Sequence, residues 1–541
     1  MGSPGEVQLR PGRSEDAQAA QAESSERRPR SLTAWRAGCG LLVLQFGVLV
    51  GLSVVEWRRY ALTYDFAVYA QAWSLLGAGH LYPVPSVFGH AFLANNFELV
   101  LWPLGLLHLV SSSMFVLLVV QDLGLVAANL LALRWALEEL ELRRTGVVDG
   151  WCRAPGVAPW LVVLLVLLDP WCYMTGLFDF HAEALAAPFV LLAARSLRRG
   201  RDRGALLYAL AAAACGVVGA LAVAGVGTGA LFSRRSSRGG GVVVAVLGLA
   251  WVAVVGSAHL SGAAGTDLAA FYGYLLPRGA TSPGLGAVVI GALSHLGAVW
   301  AVIEPKLATL VIFLVPVGLV GLVDPVACLA LGAVALPALA SASPATFRLV
   351  SAFQLWPALP LVLVASVAAV AGLDAHRRGS AVRLLAGWGL LSVLVLGGMV
   401  LDVAPHWIRV SPDQAGTLAS IARRLPRRAE LIASQGFVGR FADRPLLFTP
   451  EGPREGIPVV APQVVLVLSA RAGLEAFQPA ITTAFVTRAE RRFGFAVARS
   501  QDGIVELVWH PPAGVGCIVF PSARVARSCS PARSTAGGQG P

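Results

Sequence analysis

An aspartate among aromatic residues, shortly after the first apolar segment, is the residue of this chain best placed for chemistry. Asp65, Tyr69 and Trp73 recur at helical spacing within one stretch and should share one face of a helix. A carboxylate backed by aromatic rings at a lipid headgroup boundary is partly desolvated, which raises its basicity and suits it to take a proton from a hydroxyl nucleophile. The structural alternative is that Asp65 only caps the helix while the rings belong to the interfacial aromatic belt.

The loop after this helix is unusually polar for a chain so poor in charge. It contains His80, His90, Asn95, Asn96 and Glu98. Such side chains could hold sugar hydroxyls, ligate a divalent cation, or only hydrogen-bond within the loop. Their spacing matches no fixed metal-site pattern, so a divalent cation stays possible while no residue is assigned as a metal ligand.

Two later segments add candidate residues. Asp179 and Glu183 are predicted to share one helix face with His181 off to the side, although the same acidic residues could simply mark a helix start. Arg348 and Gln354 flank the start of an apolar segment, where an arginine can bind the phosphate of a lipid-linked donor. Arginine occurs preferentially in cytoplasmic loops, which argues against a donor-binding role for Arg348 on the outer face.

The composition shows what kind of elements must position these residues. Apolar residues make up 56% of the 541 residues, charged residues only 13%, and the mean hydropathy is +0.69, which is typical of a polytopic membrane protein. The net charge of +11 comes from short arginine clusters between apolar runs, as in cytoplasmic loops, so nucleic-acid binding is not expected. Lys306 is the single lysine, which points to a G+C-rich bacterial genome.

The order of apolar and charged segments predicts a multi-pass plasma-membrane protein. Residues 1–36 should be a disordered cytoplasmic tail, followed by a membrane domain over residues 37–403 with ten to twelve helices and a large first outer loop at 56–113. Arginine clusters on both sides of residues 205–232 predict two short helices that turn near Cys215 and Gly216. Residues 404–519 alternate in hydropathy and predict a small extracytoplasmic α/β domain, before a disordered tail over 520–541. The fold class is therefore an all-α polytopic membrane domain with a small C-terminal soluble α/β domain.

Three motifs together resemble a known family. They are the stretch from Tyr64 to Gln71, the turn from Asp179 to Glu183, and the segments 432–437 and 441–445. Over most of residues 40–510 the chain is similar to the predicted membrane proteins of the domain-of-unknown-function 2079 family. That family resembles the C superfamily of membrane glycosyltransferases, which transfer a sugar from a polyprenyl-phosphate donor and use an acidic residue in the first outer loop. Asp65 falls at that place.

The chain also departs from the pattern of this family. Members usually carry a Lys-Glu-Asp cluster where this chain has the uncharged stretch 215–219, and a His-Phe-x-Pro motif where it has Asn96, Phe97, Glu98 and Leu99. Ala182 replaces a proline. Either other groups such as Glu98 take over the missing roles, or the activity of this member is changed or lost.

The resemblance implies an inverting transfer of a hexose or pentose from a polyprenyl-phosphate donor to a cell-envelope glycan, lipid or protein, with Asp65 as general base. Alternatives are an inactive membrane scaffold of the same fold and a lipid or solute transporter; spans nearly free of ionisable groups disfavour the transporter. The predicted substrate-binding residues are Tyr64, Gln71, His90, Asn96, Glu98, Asp179, His181, Glu183, Arg348 and Gln354.

Overall fold

The computed structural model describes residues 13–94, 97–142, 157–259, 271–276, 284–343, 347–373, 378–450, 456–469 and 486–518. Most of these residues are helical. The α-helices are α1 (Arg13–Arg59), α2 (Tyr64–Gly77), α3 (Leu101–Gly105), α4 (Phe115–Leu142), α5 (Val157–Leu167), α6 (Pro170–Gly176), α7 (Ala186–Arg198), α8 (Asp202–Ala214), α9 (Val217–Phe232), α10 (Arg238–His259), α11 (Leu285–Ser294), α12 (Leu296–Ile303), α13 (Leu307–Leu314), α14 (Pro325–Ala340), α15 (Leu359–Ala371), α16 (Arg378–Trp407) and α17 (Pro412–Arg424).

Among the described residues, six helical segments are long and apolar enough to cross a bilayer, namely Leu32–Arg59, Phe115–Glu141, Val157–Gly176, Arg238–Gly256, Leu296–Leu314 and Val382–Asp402. The same part of the chain has four shorter apolar helices, α9, α11, α14 and α15. Large apolar side chains on these helices face outward; Leu293 is 71% exposed and Leu394 60% exposed. Such surfaces are stable only against lipid. The chain is therefore a multi-pass membrane protein, and the predicted fold class is confirmed.

The predicted helix break near Cys215 and Gly216 is also confirmed. Helix α8 ends at Ala214 and α9 begins at Val217, because Gly216 has φ 122°, a conformation that favours glycine. Glycine also lets α9 pack closely against α14: a Cβ at Gly225 would lie 2.2 Å from the carbonyl oxygen of Leu329. Small residues of this kind are the usual means of close helix packing in membranes.

The expectation that the spans are nearly free of ionisable groups is wrong for the part of the bundle around α1, α4 and α6. Glu56, Asp122 and Asp169 are buried in or beside these helices. Each has a hydrogen-bond donor: Trp407 Nε1 donates to Glu56 at 2.7 Å, Ser53 to Asp122 at 3.0 Å, and the backbone N–H of Trp171 to Asp169 at 3.1 Å. Local partners of this kind offset part of the cost of burying a carboxyl group.

The ends of the chain correspond only partly to the predicted segments. Helix α1 begins at Arg13, inside the stretch 1–36 that the sequence predicts to be a disordered tail. The predicted tail over 520–541 lies outside the described residues. After α16, Ser411 and Gln414 form a reciprocal capping box at the start of α17, which opens the C-terminal unit.

The C-terminal unit is a small mixed α/β structure. Its strands are β1 (Glu430–Ala433), β2 (Leu447–Phe448), β3 (Ile457–Pro458), β4 (Val464–Ser469), β5 (Ala496–Gln501), β6 (Ile504–Trp509) and β7 (Cys517–Ile518). Five strands form a sheet in the order β2-β1-β4-β6-β5, parallel on both sides of β1 and antiparallel beyond β4. Strand β4 is buried on both faces, which explains its continuous run of apolar residues.

The C-terminal unit shares one hydrophobic core with α2. Phe66 and Trp73 of α2 belong to the same buried cluster as Leu431 of β1 and Phe437 after it. A short 3-10 helix, Val438–Phe441, touches the chain just before α2, where the N–H of Gly439 donates to the carbonyl oxygen of Leu62 at 3.0 Å. The C-terminal unit therefore supports the segment that carries Asp65.

Glu430 should make the stability of this unit depend on pH. The residue is fully buried, Val460 N–H donates to its Oε2 at 3.2 Å, and burial raises the pKa of Glu430 to about 7. In the unfolded chain a glutamate has a pKa near 4.3. Between about pH 4.3 and pH 7 the folded state therefore binds more protons than the unfolded state. The free energy of unfolding falls as the pH rises through this range. We expect Glu430→Gln to be about 1–3 kcal/mol more stable than the wild type at pH 8 and close to it at pH 4.

Hydrogen exchange of the sheet amides in the detergent-solubilised full chain measures this difference, with the exposed Glu490→Gln as the matched control. Equal pH dependence in the wild type and the Glu430→Gln variant would contradict the prediction.

Candidate active site

Asp65 stands in the first turn of α2, and Thr63 rather than Asp65 is the N-cap residue of that helix. The predicted helix over this stretch is present, and its buried face carries Tyr69 and Trp73. The side chain of Asp65 is 47% exposed, so it is less desolvated than the sequence suggests. Asp65 is thus an accessible carboxylate on a helix whose other residues are largely buried.

Residues 179–181 are not helical and His181 is extended, so the prediction that Asp179 and Glu183 share a helix face is wrong. His181 has φ −132° and ψ 125°, and the 3-10 helix Ala182–Leu185 starts only after it. The reason is a long-range contact: the backbone N–H of Thr63 donates to both carboxylate oxygens of Asp179, at 3.2 and 3.1 Å, and the Thr63 hydroxyl donates as well. Asp179 therefore holds the start of α2 rather than a turn of its own helix.

His181 faces Asp65 across a short gap. Its Nε2 lies 3.7 Å from Oδ2 of Asp65, which is too long for a direct hydrogen bond. Its Nδ1 lies 2.9 Å from the backbone carbonyl oxygen of Asp179, and since a carbonyl only accepts, Nδ1 carries a proton. In the neutral ring Nε2 is then an acceptor beside Asp65, and at 3.7 Å no atom fits between the two groups, so a substrate hydroxyl would have to approach them from the cavity side.

Gln121 of α4 fixes the backbone around His181, a role that the sequence analysis does not predict. Its side-chain amide donates to the carbonyl oxygens of Thr175 and Phe178, at 3.2 and 3.1 Å, and its Oε1 accepts the N–H of His181 at 2.7 Å. The side chain is 1% exposed. A glutamine in an apolar helix is a recognisable signal, but nothing local identifies its partners.

A cavity of about 350 Å³ opens beside Asp65. It brings together five of the predicted residues, Tyr64, Asp65, Glu98, His181 and Glu183. The rest of the wall is apolar or aromatic and comes from several elements, with Val68, Tyr69, Phe88, Phe97, Val217, Val255, Phe271 and Phe353. Apolar walls with a few convergent polar groups are typical of small-molecule sites.

The polar end of the cavity is acidic. Glu98 is 4% exposed and accepts a hydrogen bond from the hydroxyl of Tyr69 at 2.8 Å. Burial and the nearby carboxylate of Glu183 raise the pKa of Glu98 well above its usual value, against the opposing effect of the Tyr69 bond. Burial likewise raises the pKa of Glu183, and it raises the pKa of Asp179 to about 6 although Thr63 donates to it. These carboxyl groups hold protons more tightly than free ones.

Other predicted residues lie away from the cavity wall. Gln71 instead bridges to the C-terminal unit, donating to the carbonyl oxygen of Arg444 at 2.8 Å. His90 stacks on Phe88, Arg348 is exposed at the start of the 3-10 helix Leu349–Gln354, and Oε1 of Gln354 is buried without a hydrogen-bond partner in the described part of the chain. Asn96 lies outside the described residues.

The described residues contain no group of three or more His, Cys, Asp or Glu side chains arranged to hold a metal ion.

Gln121→Leu should disturb His181 without removing any cavity-lining side chain. The substitution leaves the buried carbonyl oxygens of Thr175 and Phe178 and the N–H of His181 without this partner, which costs about 1–3 kcal/mol for each unsatisfied group. We expect faster hydrogen exchange at residues 178–183 and weaker ligand binding in the cavity. Gln501→Leu, an exposed glutamine change, is the control. Unchanged exchange at residues 178–183 would contradict the positioning role of Gln121.

The chain matches a known protein family and is similar to solved structures. The family model described as "Predicted membrane protein (DUF2079)" matches residues 57–505. No curated protein matches the sequence. Crystal structures of ArnT from Cupriavidus metallidurans are similar to the chain: the one bound to undecaprenyl phosphate shows 14% identity and a TM-score of 0.48, and the apo structure 13% and 0.46. Each match covers 87% of this chain and 98% of the ArnT chain.

Proposed function

This chain belongs to the DUF2079 family of predicted membrane proteins, and on that premise we propose that it transfers a sugar from a polyprenyl-phosphate donor to a cell-envelope acceptor on the extracytoplasmic face. The family's resemblance to membrane glycosyltransferases of the C superfamily suggests the reaction class. The observation in this molecule that carries the proposal is the half-exposed carboxylate of Asp65, which faces a buried histidine across the opening of a cavity beside apolar helices.

Asp65 is the general base in this proposal. An acceptor hydroxyl that binds Asp65 from the cavity side gives its proton to Asp65 as its oxygen attacks the anomeric carbon, and the configuration at that carbon inverts. His181 accepts a hydrogen bond from a second substrate hydroxyl through Nε2. Asp179 and Gln121 do not contact the substrate in this proposal. They position the site, because Asp179 accepts a hydrogen bond from Thr63 and Gln121 accepts one from the backbone N–H of His181.

The donor occupies the rest of the cavity. The aromatic walls exclude water and give the sugar an apolar surface, while Tyr64 and Glu183 offer hydrogen-bonding groups at its edge. Arg348 is the candidate for the donor phosphate: it is the N-cap residue of the 3-10 helix Leu349–Gln354, five residues before Phe353 of the cavity wall, and its side chain is exposed. Gln354 and His90 remain candidates for contacts outside the described wall.

A transfer assay with the purified chain in lipid nanodiscs tests the proposal. Polyprenyl-phosphate hexose and pentose donors with labelled sugars are incubated with a cell-envelope extract, and release of polyprenyl phosphate is measured together with label on the acceptor. Mass spectrometry of envelope glycans from cells with and without the protein identifies the acceptor. Binding of an envelope component without transfer from any donor would favour the scaffold, and donor movement across vesicles without transfer would favour the transporter.

A further inference from the structure

Glu98 and Glu183 form a pair of carboxyl groups, one buried and one partly buried, that take no part in the proton transfer to Asp65. Both pack on Gly216: an atom at the Cβ position of that residue would lie 3.1 Å from Cγ of Glu98 and 3.5 Å from Cγ of Glu183. Only glycine suits the backbone there, since φ is 122°. The break between α8 and α9 thus makes room for two carboxyl groups at one end of the cavity.

Each member of this pair has one carboxylate oxygen with no hydrogen-bond partner in the described part of the protein. Tyr69 donates to Oε1 of Glu98, whereas Oε2 of Glu98 and Oε2 of Glu183 are buried without a hydrogen-bond partner there. Glu98 is 4% exposed and lines the cavity. A buried, unpartnered carboxylate oxygen is costly when ionised, but a carboxyl proton on it becomes a donor directed at a ligand.

The surroundings of the pair favour that proton. The titratable groups that face Glu98 are Glu183, Tyr69 and Asp65, and Cys215 lies beside both glutamates. His181 also lies near Glu183, and only a protonated, cationic His181 would oppose the rise in the pKa of that carboxyl. None of the described residues that line the cavity is a lysine or an arginine. At this end the phosphate oxygen bonded to the anomeric carbon would therefore meet carboxyl groups, while Arg348, outside the cavity wall, is the candidate for the other phosphate oxygens.

We propose that Glu98, paired with Glu183, is the general acid that protonates the departing phosphate oxygen of the sugar donor. This inference rests on the proposed function. Glu98 and Asp65 then divide the chemistry by environment, the first as a buried acid and the second as a half-exposed base, as in other enzymes that use two carboxyl groups for opposite tasks.

The step balances in protons and electrons. The acceptor oxygen forms a bond to the anomeric carbon and loses its proton to Asp65. The bond between that carbon and the phosphate oxygen breaks, its electron pair stays on the phosphate oxygen, and the proton of Glu98 Oε2 moves to that oxygen. Glu98 becomes a carboxylate that keeps the hydrogen bond from Tyr69, and it regains a proton from water after the product leaves.

Glu98→Gln tests the acid role through pH and leaving group. We expect kcat for a monophosphate donor to fall about 10²–10⁴-fold at neutral pH, and the decline of the wild-type rate on the alkaline side to disappear. A polyprenyl-diphosphate donor, whose leaving group needs less protonation, should reduce the loss to less than tenfold. Glu490→Gln, an exposed change, should behave as the wild type. A loss of equal size for both donors at every pH would overturn the proposal.

Infrared spectroscopy gives a readout that needs no activity. The wild type should show the carbonyl band of a protonated carboxylic acid at pH 7, and this band should weaken in Glu98→Gln and Glu183→Gln. If the glutamine variants do not fold, Tyr69→Phe is the substitute, because loss of its bond to Oε1 should shift the same band. Absence of the band overturns the acid role even where transfer occurs. A band with no sugar transfer from any donor contradicts the proposed function instead.

Discussion

Asp65→Asn is expected to lower the rate of sugar transfer about 10²–10⁴-fold, the usual contribution of a positioned general base. Asparagine keeps the size of the side chain but cannot accept the acceptor proton. Donor affinity should change little, so the loss should appear in kcat rather than in KM. Steady-state kinetics with a labelled polyprenyl-phosphate donor measure both constants.

The fold should tolerate this change. Asp65 is not the N-cap of α2, and its carboxylate contributes to the helix only through the dipole at the first turn, about 0.3–1 kcal/mol. Asp413→Asn is the matched control, since it also removes an exposed first-turn carboxylate, from α17, far along the chain. A fall in activity of less than tenfold for Asp65→Asn, or an equal fall for both variants, would rule out the general-base role.

The sequence predicts the elements of this protein better than the contacts between them. Apolar runs of spanning length predict the membrane helices, because a lipid-facing helix must be apolar along its length. The break at Cys215 and Gly216 follows from the arginine clusters on both sides, since their side of the membrane constrains how the segment between them can cross. Helix α2 follows from the spacing of its aromatic residues.

The candidate site could be predicted only in part, because its geometry depends on residues far apart in the chain. Asp179 leaves the predicted helix face to bind Thr63, and Gln121 reaches the His181 N–H, 60 residues away. Glu98 packs on Gly216. A glutamate from the first loop therefore lies beside the uncharged stretch 215–219. Sequence spacing contains no information on such pairings, which form only when the helices pack.

Gly439→Ala should destabilise the start of α2, and so displace Asp65, although residue 439 lies in the C-terminal unit. A Cβ at residue 439 would lie 2.8 Å from the carbonyl oxygens of both Leu62 and Thr63, which are backbone atoms and cannot move without shifting the start of α2. Overpacking of this kind costs about 1–3 kcal/mol. Since a 1 Å misplacement of a catalytic group can cost about 10²-fold in rate, we expect transfer to fall by about 10–100-fold. Hydrogen exchange of the peptide spanning residues 57–69 should increase in parallel.

Gly416→Ala is the control, because a Cβ there meets nothing within 4 Å and alanine favours the helix. The cation–π contact of Arg440 with the Trp57 ring, at 3.8 Å, gives an independent test of the same docking: Arg440→Met should raise exchange at residues 57–63 without introducing a clash. If both changes left exchange in this segment at the wild-type level, the C-terminal unit would not position Asp65. If exchange rose while transfer stayed constant, the orientation of α2 would not limit the reaction, and the base would have to lie outside that helix.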